Sequence, residues 1–259
     1  MIYRVDLHVH TNATEGAPST LEELVRAARR AGLDAIAITD RDYCTPVPIE
    51  LRGVLLIPGC EVTTLGGQIL GVFLDRPLDL VRLRRNGLPT ADEAVMEIHR
   101  CGGLAILSQP FANKEVNPAL FPIRPDAVET FNARAALQRS DANHRAAQWA
   151  ADHQRPKVGS SNAHSAQELG NGYTEVACRR LTRAFLKEAV DLGHCRPVSV
   201  RDTNNTACGY ANLASAKRQG RKGRILKSTL ALGVCKLMDL ARPRPKKDKN
   251  NASKKEKKI

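Results

Sequence analysis

Short apolar runs alternate with amphipathic stretches along most of this chain, and that alternation constrains its fold more than any other feature. Strand-like segments are predicted at residues 3–9, 33–39, 54–57, 69–74, 104–108, 127–131, 157–159 and 175–177. Between them lie helical patterns. The first is capped by Thr20, with Glu23 three positions on as its capping-box partner. Leu21, Leu24, Val25 and Ala28 share one face of it, and Gly32 ends it. Further helices are expected at 91–101, closed by Gly102-Gly103, at 141–153 and at 181–192. Strand-then-helix order of this kind implies parallel strands, hence an open doubly wound sheet or a closed barrel.

The 259 residues are enough for one domain of barrel size. Aromatics are only 4%, so the core must rest on Leu, Val, Ile and Ala. No apolar run approaches the roughly 18 residues that a membrane span needs. Seven scattered cysteines without a C-x-x-C pair argue against a zinc ribbon or disulfide framework and suit a reducing cytoplasm. The net charge of +13 is local. Residues 217–259 hold 16 of the Lys and Arg and three of the Asp and Glu, leaving the rest balanced at 24 of each. The expected organisation is a barrel over 1–200, a basic helical extension over 201–242 that packs on or near it, and a disordered Lys-rich tail over 243–259. In the extension, Leu226, Leu230, Val234, Leu237 and Ala241 recur at helical spacing, and that face is expected to pack against the barrel. An anionic membrane surface is the other reading of this stretch, and for the tail a non-specific contact with nucleic-acid phosphates.

Residues able to hold a metal recur just after the predicted strands, where the ends of parallel barrel strands converge on one face. They are His8 and His10, Asp40, Glu61, Gln109, and the pair Asn162 and His164. An isolated H-x-H can be two satisfied histidines of a strand. Strand alternation, however, points His8 and His10 the same way, so they can chelate one ion. Glu129 and Asn132 read more simply as strand-end groups paired to a helix.

The ordered series resembles the PHP family, named after polymerase and histidinol phosphatase. The resemblance rests on DLHVHT at 6–11, AIAITD at 35–40, GCEVTT at 59–64, AILSQPF at 105–111, VETFN at 128–132 and GSSNAH at 159–164. It implies an α/β fold, a distorted seven-stranded TIM-like barrel, and hydrolysis of phosphate esters with up to three divalent ions. The chain departs from the family pattern at several ligand positions. Thr-Asp-His becomes Thr39-Asp40-Arg41, Ala-His-Pro becomes Ser108-Gln109-Pro110, and Ser-Asp-Ala-His becomes Ser161-Asn162-Ala163-His164. Gln68 replaces a histidine found in many small members, and Glu15 stands for an acid in the first loop.

By the family's layout, one ion would be held by His8, His10, Glu61 and Asn162. A second would share Glu61 with Gln68 and Gln109, whose amide oxygens are poor donors. A third would use Glu15, Arg41 and His164, but a guanidinium stays protonated and cannot ligate. Arg41 is expected either to pair with Glu15 or to hold a phosphate oxygen. Two readings follow. One is a phosphoesterase with a single Mn, Zn, Fe or Mg ion, with Glu61, Arg41 and Asp40 in catalytic roles and a phosphorylated small molecule or nucleotide as substrate. The other is a degenerate scaffold that binds a phosphorylated ligand, nucleic acid or protein partner without turnover.

Overall fold

The computed structural model describes residues 1–113, 116–220 and 222–241. The expected tail, 243–259, lies outside them. The chain opens with β1 (Ile2–Val9), α1 (Leu21–Arg30), β2 (Ala35–Ile38), a short β3 (Glu50–Leu51), β4 (Val54–Thr64) and β5 (Gly67–Val72). Next come α2 (Leu80–Leu83), α3 (Ala91–Arg100), β6 (Leu104–Ser108), β7 (Ala127–Asn132), α4 (Ala135–Gln138) and α5 (Ala142–Asp152). The remainder is β8 (Lys157–Ser160), β9 (Gly172–Ala177), α6 (Arg183–Asp191), β10 (Cys195–Ser199), α7 (Asn205–Arg218) and α8 (Lys222–Ala241).

One sheet runs β10-β9-β1-β2-β4-β5-β6-β7-β8, with β3 on the flank of β4. It curls until its ends meet: Thr174 of β9 accepts from Gly159 N of β8 at 3.0 Å and donates to Gly159 O at 2.7 Å. The result is a nearly closed, barrel-shaped α/β fold. Pairing is parallel through β1, β2 and β4 and again through β6, β7 and β8. The two parallel stretches are separated by β5, which is antiparallel to both neighbours. The physical reason is the connection. β4 continues to Thr64 and turns through Leu65-Gly66 straight into β5, and so short a link permits only an antiparallel return. At the other end, β9 pairs antiparallel with β1 and with β10, to which the chain returns through α6.

The capping box at Thr20 and Glu23 forms as the sequence predicts, with Thr20 N donating to Glu23 at 2.8 Å. Thr90 and Glu93 repeat it on α3. Alternate residues of the strands supply the core: Val5, Leu7, Ala35, Ile57 and Ile106 pack with Leu186 of α6, and Ile36, Ile38 and Leu56 pack with Leu24 and Val25 of α1. Each such fully buried side chain contributes about 1.5–3 kcal/mol of transfer free energy. Gly59 permits a close approach just before the site. A Cβ there would lie 2.7 Å from Gly71 O and 2.9 Å from Thr39 Cγ2.

The helical extension departs from expectation in orientation. α7 and α8 pack on each other, with Gly209 so close to Leu232 that a Cβ would meet its Cδ1 at 3.0 Å. Asp239 of α8 accepts from Asn205 N and Thr206 N, satisfying orphan amides at the start of α7. Leu232 is therefore the buried residue of α8, and Leu226, Leu230, Val234 and Leu237 are exposed. The face expected to lie on the barrel points outward, because the Gly209 contact and the Asp239 cap fix the opposite face inward. No helix among the described residues is long and apolar enough to cross a membrane.

Candidate metal centre

Strand alternation places Asp6 and His8 on one face of β1, and His10 follows at its end; all three are fully buried. Glu61, from the middle of β4, is also fully buried and completes a cluster whose ligand atoms all lie within 4.8 Å of one another: His8, His10 and Glu61. His8 Nε2 and His10 Nε2 are 3.0 Å apart. Glu61 Oε1 lies 3.3 Å from His8 Nε2, and Oε2 lies 3.8 Å from His10 Nε2.

The opposite nitrogens of both rings are occupied, and this defines the tautomers. His8 Nδ1 donates to Glu129 Oε1 at 3.0 Å. His10 Nδ1 donates to Thr14 Oγ1 at 3.1 Å, because the Thr14 hydroxyl hydrogen is already given to Asp40 at 2.7 Å. Each Nε2 therefore turns a lone pair toward the other. Two lone pairs at that distance repel unless a proton or a cation lies between them. Glu61 Oε1 and Asn162 Oδ1 are in addition buried acceptors without a hydrogen-bond donor. These donors fit a divalent cation: two imidazoles and a carboxylate converge, and each imidazole is oriented from behind.

Without a cation, a proton takes that place. Burial would lower the His8 pKa, but Glu129 and Glu61 outweigh it and raise it to about 10. His10 goes the other way, to about 3, through burial together with the charges on His8, Arg41 and Arg134. Burial pushes the Glu61 carboxyl up, yet His8, His10 and Arg41 bring it down to about 2. Asp6, which accepts from Ser161 N and His8 N, is raised to about 7 by burial.

Other expected residues fall in several places. Asp40 does not reach the cluster. Its carboxylate accepts from Thr11 N, from the Thr11 and Thr14 hydroxyls, and from Thr45, so it holds the first loop rather than facing a reacting group. Glu15 is no ligand here and does not meet Arg41. It is exposed and pairs with Arg224 of α8. Arg41 instead sets its Nε 2.9 Å from Glu61 Oε2, while its backbone N–H donates to Thr14. The His164 ring packs against His10 at a centroid separation of 4.5 Å, though His164 is not part of the three-residue cluster. Gln109 and Asn162 meet each other, Nδ2 to Oε1, at 3.4 Å. Both have positive φ, +34° and +49°, a conformation unusual for non-glycine residues and frequent at functional sites. A cavity of about 610 Å³ is bordered by Arg41, Gln68, Ser108, Gln109, Thr63 and Gln138.

Glu129 is a stronger feature than its sequence context suggests. It is not paired to a helix. Beyond His8 it accepts from Ser108 Oγ, Gln109 N, Asn132 Nδ2 and Ser160 Oγ, so residues of β6, β7 and β8 converge on one carboxylate. Thr14 and Arg134 carried no local signal. Arg134 donates to Glu168 at 2.8 Å and adds positive charge near His10 and His164.

A nearly closed α/β barrel that brings a buried His, His, Glu cluster together defines a class of α/β barrels with a candidate metal site. Within that class the chain belongs to the PHP family. It is 30% identical over 147 residues to an uncharacterised protein of Methanocaldococcus jannaschii, MJ1587, covering 50% of this chain and 82% of that one. A PHP-associated family model matches residues 140–195. The "Probable phosphatase" of Syntrophotalea carbinolica is 35% identical over 79 residues, 25% of this chain and 33% of its own length. Solved structures share the fold at low identity. A two-domain Bacteroides vulgatus protein containing a PHP-like metal-dependent phosphoesterase gives a TM-score of 0.54 at 18% identity, covering 77% of this chain and 65% of that one. A lesion-specific endonuclease of Pyrococcus furiosus gives 0.55 at 17%, covering 76% and 58%. The chain thus spans less than two thirds of the length of these last three proteins.

Proposed function

We propose that this protein hydrolyses a phosphate ester with one divalent ion held by His8, His10 and Glu61, and with Asn162 Oδ1 as a neutral fourth donor. The observation that carries this reading is the pair of Nε2 atoms 3.0 Å apart beside Glu61, each ring anchored through its other nitrogen. Two imidazoles and a carboxylate suit zinc, manganese or iron. When bound, the ion would supply Lewis acidity to the phosphoryl oxygen and acidity to a water. The chain's own groups do the rest. Glu129 and Thr14 hold the two imidazoles in their ligating tautomers. Arg41 borders the cavity, and its guanidinium, 39% exposed, is placed to bind a phosphate oxygen and offset developing negative charge. The phosphatase and endonuclease relatives support a phosphoester as the bond broken. The test is elemental analysis of the purified protein with turnover of p-nitrophenyl phosphate and nucleotides in Mn²⁺, Zn²⁺ or Mg²⁺. One ion per chain and metal-dependent turnover are expected. A protein that holds no ion and turns over none of these esters rules the reading out.

Glu129→Gln is expected to weaken metal affinity by about 10- to 100-fold, since it removes the carboxylate that orients His8. Competition with a chromogenic chelator measures this. An unchanged affinity means that His8 is oriented by other groups.

One observation favours the alternative, a scaffold that binds a phosphorylated ligand without turnover. The Arg41 guanidinium already sits on Glu61 Oε2, where a second ion would share that carboxylate, and Gln68 and Gln109 offer amides in place of imidazoles. Arg41→His is expected to raise bound metal above one ion per chain. If the stoichiometry stays the same, arginine is not standing in for an ion.

A further inference from the structure

α8 has two faces of unequal character. Ile225, Ser228, Leu232, Cys235 and Asp239 line the side turned toward the protein, none of them fully exposed. The other side carries Leu226, Leu230, Val234 and Leu237 in one stripe, at 65%, 67%, 56% and 67% exposure. Met238 and Leu240 border it, also exposed. The spacing of four, four and three keeps these side chains on one surface over three turns. Leaving a continuous row of large apolar groups in water is costly, and such a patch marks an interaction surface.

Charge indicates what covers it. Lys222 and Lys227 flank the stripe, and Lys236 lies over the Tyr210 ring at 5.3 Å. The acid of α8, Asp239, is turned inward onto the start of α7. Past Ala241 the sequence continues for 18 residues with nine Lys or Arg and two Asp or Glu. A second copy of the chain would bring two such cationic surfaces together, which opposes self-association. A nucleic acid would satisfy the charge but not the leucines, and neither α8 nor the following sequence has an aromatic ring on which a base could stack. An apolar stripe edged by lysines, followed by a polybasic segment, matches the interface of an anionic bilayer. There the leucines enter the acyl boundary and the cations meet the headgroups.

We propose that the outer face of α8 docks this protein on an anionic lipid surface. The helix lies in the plane of the interface and does not span it. The inference is independent of the reading of the metal centre.

The test is flotation of the full-length protein with vesicles of phosphatidylcholine containing about 30% phosphatidylglycerol, against vesicles of phosphatidylcholine alone, at low and high salt. Binding is expected to the anionic vesicles only and to weaken as salt rises. The double variant Leu230→Glu/Leu237→Glu changes only exposed positions of good helix formers, so it should keep the fold. It is expected to lose affinity by about 100-fold, on the order of tenfold for each leucine kept out of the acyl boundary. Wild-type protein that fails to float with anionic vesicles overturns the proposal. Equal binding by wild type and the double variant also overturns it, since attachment would then rest on charge alone. A chain that sediments as a dimer, reverts to monomer in the double variant and ignores lipid assigns the stripe to a second copy instead.

Discussion

His10→Ala is expected to strip the ion from this protein and to lower phosphoester turnover by about a thousandfold or more, because Lewis acidity and an acidified water are lost together. The geometry makes His10 hard to replace. Its Nε2 is one of three converging donors, and its Nδ1 is locked by a Thr14 hydroxyl that Asp40 orients in turn. Among the described residues, no other His, Cys, Asp or Glu joins this donor cluster. His164 touches the His10 ring but does not join the donor cluster. His164→Ala should therefore keep one ion per chain and lose about tenfold or less in turnover, the scale of a positioning contact. Elemental analysis and kcat/KM of the two variants side by side give the answer. The fold should survive His10→Ala, since the imidazole is a desolvated, uncharged group and Thr14 retains Asp40 and the Arg41 amide as partners. If His10→Ala retains ion and turnover while His164→Ala loses both, the assignment of ligands is inverted.

The contrast between those histidines explains what the sequence can and cannot convey. His8 and His10 are legible because they lie two apart along β1 and its continuation, where period-two alternation gives them a common direction. Glu61 is legible only as a member of an ordered series, since nothing local says that β4 runs on through it to Thr64. Glu15 misleads for the opposite reason. It sits in the right loop, but Arg224, more than 200 residues away, draws it outward to α8. Arg41 has Glu61 as its partner because their backbones pair across the sheet, a register that sequence order does not encode. Glu129 looks ordinary among its neighbours and becomes central only when β1, β6 and β8 deliver His8, Ser108 and Ser160 to it. At the level of the fold, the strand–helix rhythm reveals the barrel, but not the reversal at β5, which depends on the Leu65-Gly66 link. α7 was hidden by its composition. Its small residues give little apolar periodicity, yet they let Leu232 approach Gly209 and so determine which face of α8 is buried.

Metal affinity is expected to rise with pH, by about tenfold per pH unit between about pH 6 and 9, because one proton must leave for each ion that enters. That proton is on His8. With Glu129 on one nitrogen and Glu61 beside the other, the His8 pKa is raised from 6.5 to about 10, so at neutral pH the metal-free ring is cationic. Ligation needs its Nε2 lone pair. His10 and Glu61 add no proton to the exchange, since in the metal-free protein His10 is neutral above about pH 3 and Glu61 is ionised above about pH 2. The sign is therefore fixed: acid favours the protonated, metal-free pocket, and base favours the loaded one until His8 itself deprotonates near pH 10, where the slope flattens. Chelator competition across pH measures the slope, and proton release in weak buffer measures the stoichiometry independently. Glu129→Gln supplies the discriminating control. Removing one of the two carboxylates lowers the His8 pKa, so this variant should release less than one proton per ion at neutral pH and show a shallower slope, while the loss of the ring's anchor weakens binding most at high pH, where no proton competes. A flat affinity profile with no proton release in the wild type would mean that His8 is neutral before the ion arrives. The two carboxylates would then orient the ring without holding its charge.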